Sequence, residues 1–578
     1  MAGVKRKKGQ QAEIKRVPSY RARRITVLAV LGLAYASLIG LSVDRQVFET
    51  AFLQEQGERR YLRVMEVDAS RGMITDRNGE PLAISTPVKS VAANPRRLQV
   101  DAQTIGALAT TLDLDPDRLR RMLASDRAFV YLRRRINPDL AATVGQLDIE
   151  GINLLPEYRR FYPSGEVAAH MVGFTNIDDQ GQEGLELLYD NWLRGTRGSK
   201  RVIKDGKGRV VEQVENIRSP APGKDLRTSL DRRLQFLAYR ELKAAVNKHR
   251  ARSGSAVMLD AHTGEILAMV NSPSYNPNAS RDNRRSRLRN RAVTDVFEAG
   301  STMKPFTVAA ALENGHIKPD TPIDVTPGQM KVGRYLVRDH RNYGMIDVTT
   351  VLRKSSNVGA SKIALSMEPE ALWKAYSRLG FGEVTGSQFP GESSGRLPFF
   401  SDWSSFEQAT LSFGYGLSVT PLQLTRAYAV LANDGIRLPV SVLKLDQPPE
   451  GERVLRKSTT RALVKMLETV VSSEGSAPQA AIPGYRVAGK TGTAKKAVAG
   501  GYAEDKYLSL FVGMAPASDP RLVMAVIIDE PRGDEYYGGL VAAPVFAKVM
   551  SGALRLLNIP PDKPWQENTL MARLGEKG

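Results

Sequence analysis

The chain has no cysteine. That excludes disulfides, thiolate metal sites and a cysteine nucleophile, and it is compatible with an oxidising compartment. Histidine is scarce. The five (His170, His249, His262, His316, His340) are scattered without metal-ligand spacing, so they read as surface or packing residues, and no metal or other cofactor is expected. Acidic residues are outnumbered, 62 against 82 Lys and Arg, for a net charge of +20. No zinc-finger, RNA-recognition or basic-zipper pattern accompanies that charge, so a polyanionic envelope or membrane surface is the expected partner and nucleic acid is not. Residues 44–225 carry no phosphate loop, no sugar-processing carboxylate pair and no nucleotide fingerprint. Long apolar runs are missing too, with a single exception.

That exception is Ile25 to Val43, uncharged throughout. At about 1.5 Å per helical residue it spans roughly the bilayer core. Residues 1–24 hold nine Lys and Arg against Glu13 alone. This basic tail is expected in the cytoplasm, with the rest of the chain exported. A cleaved signal peptide is the competing reading, since Ala34-Tyr35-Ala36 resembles a cleavage site. The apolar run continues through Leu38-Ile39-Gly40-Leu41, which favours an uncleaved, single-pass anchor.

At 578 residues the chain has room for two domains with proper cores. The segment from Asp44 to about Val64 has helical apolar spacing and is expected to continue the anchor helix. Asn78-Gly79 is a hairpin turn signal, and 100–150 reads as helix-rich. Arg159-Arg160-Phe161-Tyr162-Pro163 and Gly181 through Glu186 read as tight turns and buried charge pairs of a packing domain. Composition shifts at Pro220-Ala221-Pro222-Gly223, a domain boundary.

Beyond it, Asp231 is placed to cap a helix reaching about Lys248. Strands are expected at Ser255–Leu259 and Ile266–Asn271, then at Tyr485–Ala494, Leu508–Ala515 and Leu522–Ile528, with a helix from about Ala543 to Leu557. Two strands, a helical insert and three strands give an antiparallel five-stranded sheet covered by helices on both sides, an α+β fold. The division is 1–24 cytoplasmic tail, 25–43 anchor, 44–225 elongated α+β pedestal, 226–563 catalytic domain and 564–578 tail.

Three short strings carry chemistry: Ser301-Thr302-Met303-Lys304, Ser355-Ser356-Asn357 and Lys490-Thr491-Gly492-Thr493. Each alone is weak; a Ser-x-x-Lys string should occur about twice by chance in a chain this long. Together and in this order they read as a serine acyl-transfer site. Ser301 should open a helix that stops near Gly315, beside unpaired N–H groups that favour an oxyanion. Lys304 shares its helix face; buried beside other cations, its pKa would fall and its amine could take the serine proton. Ser355 can relay a proton, and Asn357 can orient the lysine and a substrate amide. Lys490 with the Thr491 or Thr493 hydroxyl can bind a terminal carboxylate. Gly492 leaves space for a substrate backbone added as a strand. The N–H groups of Ser301 and Thr493 would form an oxyanion hole. Tyr502, Tyr507, Tyr536 and Tyr537 fall in expected loops near this strand, and Tyr507, Tyr536 and Tyr537 are either a pocket wall or packing anchors.

The chain resembles class B penicillin-binding proteins, of the Gram-negative division type. The resemblance rests on Arg71-Gly72 through Ala83, Arg160-Phe161-Tyr162-Pro163 with Ala168-Ala169-His170, Gly181 through Glu186, Gly300 through Phe306, Ser355-Ser356-Asn357, Lys490 through Lys496, and Phe413-Gly414-Tyr415-Gly416 with Thr420-Pro421-Leu422-Gln423. It implies a penicillin-binding, serine β-lactamase-like transpeptidase domain behind a dimerisation-type pedestal without glycosyltransferase. The implied activity is periplasmic D,D-transpeptidation at the septum of the inner membrane. Ser301 would attack the D-Ala-D-Ala bond of a stem pentapeptide and pass the acyl group to an acceptor stem amine. β-Lactams would acylate Ser301, and an FtsW-type glycan polymerase and other division proteins would be partners. Valine also occurs in relatives at the position of Met303, and Val498–Asp505 is expected to be a variable loop. Still open are an elongation-type transpeptidase, a carboxypeptidase or β-lactamase, for which no activating Glu is evident, and a β-lactam sensor, for which there is no cytoplasmic domain.

Overall fold

A computed structural model describes residues 3, 20–52, 62–98, 101–204, 210–279, 285–498 and 501–563. Most of the basic tail 1–24 and all of 564–578 lie outside them.

The helix Arg21–Val43 has no buried residue. With the turn that follows it, through Phe48, it is long and apolar enough to cross a membrane. The expected continuation of the anchor helix holds through Phe48 and is overturned at Leu62, with 53–61 outside the described residues. Asp44–Phe48 forms one π-helical turn, and Leu62–Val67 is a strand paired antiparallel with Gly198–Lys204. Pairing with a distant strand overrides the local helical spacing there.

In the pedestal, Asp76, Asn78 and Gly79 turn the chain between Ile74–Thr75 and the long strand Pro81–Ala93. The Asp76 carboxylate accepts from the Asn78 and Glu80 N–H groups. The stretch 100–150 supplies the helices Ala102–Leu112, Pro116–Leu123 and Pro138–Gln146. The first two are capped by Asp101 and Asp115. A strand the sequence reading missed, Val130–Ile136, lies between the second and third helices and pairs with Pro81–Ala93, whose other edge pairs with Ile152–Phe161. The charge pairs are buried as expected. Arg71 Nε and Arg160 Nε reach opposite oxygens of Glu186 at 2.6 and 2.7 Å, and Arg71 Nη1 reaches Asp190 at 2.7 Å.

The second domain is built on five antiparallel strands in the order Ile266–Ser272, Ser253–Asp260, Leu522–Asp529, Gly501–Ala515, Ala488–Val498. Every residue of the first two is buried, as a sheet covered on both faces requires. Ala256 and Met258 join a core with Leu234, Ala238 and Leu242 of the helix Arg232–Lys248. Val257 and Leu259 join another with Leu422 and with Leu82 and Met171 of the pedestal. The two domains therefore share apolar core.

The edge strand Ala488–Val498 leaves one side of its backbone open. It and its partner run on as a hairpin to the pair Val498–Gly501. The expected loop Val498–Asp505 is thus strand in its described residues, and Tyr502 and Tyr507 are strand residues.

Candidate functional site

The Ser301 string begins in a tight turn. Gly300 adopts φ +56°, and Gly300–Met303 forms a 3-10 turn that feeds the helix Lys304–Glu313. Two glycines let the turn pack closely. A Cβ on Gly414 would stand 2.1 Å from Gly300 O. A Cβ on Gly492 would meet Ala299 O at 3.2 Å and Thr302 Cγ2 at 3.0 Å. This corrects the reading of Gly492: what approaches it is the serine's own turn. Ser301 is half-buried, whereas Thr302, Met303 and Lys304 are fully buried.

The second string lies between two helices, Val348–Lys354 and Asn357–Leu365. Ser355 ends the first at φ +60°, a conformation that costs a non-glycine residue about 1–3 kcal/mol and is tolerated where the surroundings over-determine it. Ser356 caps the second helix by accepting from Gly359 N at 2.9 Å. The strain aims Ser355 at both lysines. Lys304 Nζ donates to Ser355 O at 2.5 Å, Ser355 Oγ at 3.1 Å and Asn357 Oδ1 at 2.8 Å. Lys490 Nζ donates to Ser355 Oγ at 2.9 Å. One hydroxyl joins two buried amines.

Among the described residues no carboxylate is hydrogen-bonded to either lysine, and their acceptors are neutral oxygens. Burial pushes the Lys304 pKa well below that of a free lysine, and the Lys490 charge adds to the fall, against a smaller opposing pull from Asp339. Burial brings Lys490 down to about 7. A protonated Lys304 has all three N–H groups engaged and no lone pair to offer. Losing one proton frees that pair, and burial makes that loss easier than in a free lysine, so the arrangement can accept a proton from a neighbouring hydroxyl.

The edge strand supplies the third string. Lys490 is fully buried. Thr491 Oγ1 lies 2.9 Å from Ser476 Oγ, and Thr493 Oγ1 accepts from Gly538 N at 3.0 Å. Tyr507 stacks on Tyr536 at 4.3 Å, Tyr536 on Tyr537 at 4.5 Å, and Tyr537 meets His340 edge-on at 6.2 Å. The three tyrosines therefore form one ladder reaching from the edge hairpin toward the Ser355 segment. Tyr502 does not join it. Its ring packs on Tyr415 at 5.4 Å and its hydroxyl donates to Glu298 at 3.0 Å.

Sequence reading missed Asp339. Its carboxylate accepts from Ser356 Oγ at 2.6 Å, from Val358 N at 3.0 Å and from Asn357 N. It holds the start of the helix that carries Asn357, and the Asn357 amide donates to Arg338 O at 3.0 Å. Asp339 stands more than a dozen residues upstream with no local spacing to betray it. Glu298 and Ser476 were missed for the same reason.

The profile of the penicillin binding protein transpeptidase domain matches residues 254–551, and that of the penicillin-binding protein dimerisation domain matches 66–228. The chain belongs to the class B penicillin-binding proteins. It is similar to the peptidoglycan D,D-transpeptidase FtsI of Escherichia coli K12, 47% identical over 92% of this chain and 91% of that one. It is also similar to the probable peptidoglycan D,D-transpeptidase PbpC of Pseudomonas aeruginosa, 43% identical over 93% and 96%. Among solved structures, penicillin-binding protein 3 of Mycobacterium tuberculosis, complexed with aztreonam, superposes with a TM-score of 0.68 at 29% identity over 86% of this chain and 99% of that one. The transpeptidase domain of Burkholderia pseudomallei penicillin-binding protein 3 does so at 0.55 and 45% identity, over 58% and 98%. In this class B chain, the three strings that converge on Ser355 all fall within the matched transpeptidase region.

Proposed function

We propose that this class B penicillin-binding protein is a peptidoglycan D,D-transpeptidase of septal wall synthesis that works through a Ser301 acyl-enzyme. The observation that carries the reading is the convergence of Lys304 Nζ and Lys490 Nζ on Ser355 Oγ, at 3.1 and 2.9 Å. Neutral Lys304 takes the Ser301 proton as Oγ attacks the penultimate D-alanine carbonyl. The N–H groups of Ser301 and Thr493 receive the oxyanion. Ser355 passes a proton to the leaving D-alanine nitrogen, and Asn357 holds Lys304 and the substrate amide. Lys490, with the Thr491 and Thr493 hydroxyls, holds the terminal carboxylate. The acceptor stem amine then attacks the acyl-enzyme, completes the cross-link and regenerates Ser301. The tyrosine ladder walls the cleft.

In this reading 1–24 is cytoplasmic, 25–43 crosses the inner membrane, 44–225 is the periplasmic pedestal, 226–563 is the transpeptidase domain and 564–578 is a tail. The apolar amino-terminal helix, the single candidate span among the described residues, supports it. An FtsW-type polymerase and other division proteins are the partners, a proposal supported by the 47% identity to FtsI.

Intact mass tests the reading. The full chain in detergent is incubated with a penicillin, as wild type and as Ser301→Ala. A stable adduct of one drug mass in wild type alone is expected. Drug consumed without an adduct would make the protein a hydrolase. An adduct on Ser301→Ala would put the nucleophile elsewhere.

A further inference from the structure

The pedestal contains a charged cavity of about 270 Å3, lined in part by Arg135, Asp178 and Asp179. It is separate from the Ser301 site. The pedestal meets the transpeptidase domain through Arg77–Glu265 and Asn78–Asp231. Glu265 directly precedes the strand Ile266–Ser272, at the sheet edge opposite Lys490.

Arg135 is the anomaly of this cavity. Its side chain is 17% exposed, and its Nε is buried without a hydrogen-bond partner. Its nearest acids stand off, Glu157 at 3.7 Å from Nε and Asp179 at 3.6 Å from Nη2, beyond hydrogen-bond length. Glu157 is instead engaged by Arg134 Nε at 3.2 Å and Nη2 at 3.3 Å. Arg135 also sits at φ +57°, its N–H held by Ser90 Oγ at 2.9 Å. Arg135 thus brings to the cavity wall, at a strained backbone position, a permanent charge that two carboxylates hold only loosely. The opposite sign is present as well. Burial raises the pKa of the Asp179 carboxyl against the pull of Arg135, Arg160 and Arg71, and Asp178 stands at the rim, 57% exposed, with one oxygen on Arg134 Nη1 at 2.8 Å.

We propose that this cavity binds a zwitterionic amino-acid unit of an uncross-linked stem peptide, its carboxylate on Arg135 and its ammonium between Asp178 and Asp179. A planar carboxylate matches the guanidinium fork. Charges of both signs line the cavity, Arg134, Arg135 and Arg194 beside Glu157, Asp178 and Asp179, as a zwitterion requires. The volume is at the small end for a ligand site and holds about one or two residues rather than a glycan strand. The choice of a stem peptide rests on the transpeptidase reading.

The test uses the full chain in detergent, acylated by penicillin beforehand so that the Ser301 cleft is closed. A synthetic stem pentapeptide with a free side-chain amine at its third residue is titrated in by calorimetry. Saturable one-to-one binding is expected, weakened at least about tenfold by Arg135→Gln, the size of a lost charged hydrogen bond. Asp178→Asn, at the exposed rim, should weaken binding to a smaller degree, and acetylating the peptide amine should erase that difference. Both variants should keep wild-type acylation, read by mass in the same sample, so failure of this site and failure of the Ser301 reading are distinguishable. If Arg135→Gln fails to fold, Asp178→Asn and the acetylated peptide decide. No binding to wild type, binding indifferent to both variants, or saturation by inorganic diphosphate but not by the peptide would overturn the proposal.

Discussion

The protein buries cations in two places and treats them in opposite ways. In the pedestal, Arg71 and Arg160 are at most 2% exposed, and both are bonded to Glu186. Burial alone would lower the Arg71 pKa, but Glu186 and Asp190 outweigh it and the net shift is upward. In the transpeptidase domain, Lys304 and Lys490 are as deeply buried, yet among the described residues their hydrogen-bond acceptors are neutral oxygens and the nearest opposing charge, Asp339, is outweighed, so both pKa values fall. The first arrangement fixes charge and serves structure. The second leaves protons ready to move. The residue types suit the roles, since a guanidinium stays charged in a protein and an ammonium does not have to.

Removing one member from each region should separate the two. Lys304→Met should slow penicillin acylation by about 10^2–10^4-fold, the usual worth of a positioned base, while the fold persists, because an apolar chain takes the place of a buried amine that is costly to charge. Stopped-flow acylation and thermal melting read the two halves. Glu186→Gln should do the reverse. It leaves Arg71 and Arg160 short of a counter-charge and should cost about 3–5 kcal/mol of stability, with the acylation rate of the still-folded fraction unchanged.

Lys490→Met sharpens the comparison within one site. It removes a charge that depresses the Lys304 pKa, so the rising limb of the acylation–pH profile should move to higher pH, and the rate at neutral pH should fall with it. The smallest effect is on stability. Lys490 titrates near 7 when folded and near 10.4 when unfolded. Between those values the unfolded chain binds the proton that the folded one lacks, so this group makes stability rise with pH across that window. Urea midpoints at pH 7 and pH 9 should therefore rise more in wild type than in Lys490→Met.

The three strings were legible because the chemistry dictates residue types at short spacing, and the sheet was legible because Ser253–Asp260, Ile266–Ser272 and Leu522–Asp529 carry continuous apolar runs. Ser301 and Lys304 share one turn of chain, and Ser355 and Asn357 share another. What stayed hidden depends on distant pairing. The strands Leu62–Val67 and Val130–Ile136 are set by partners elsewhere in the chain. The hairpin through Tyr502 looked like a loop because its polar residues are exposed on a protruding ribbon. Gly492 was assigned to a substrate because nothing in its own neighbourhood announces that Ala299 O and Thr302 pack there. Asp339 reaches the Ser355 segment only through the fold.

Lys304 gives up its proton more readily than a free lysine because it is buried beside Lys490 with no carboxylate bonded to it among the described residues. The most direct measurement is the pH dependence of the second-order rate of Ser301 acylation in the wild-type full chain, followed from pH 5 to pH 11. The account predicts a rising limb whose midpoint lies well below the ordinary lysine value of about 10.4, with the rate already on its plateau before that value is reached. A limb centred at the ordinary lysine value would mean that Lys304 keeps its proton in the folded protein, and would contradict the account.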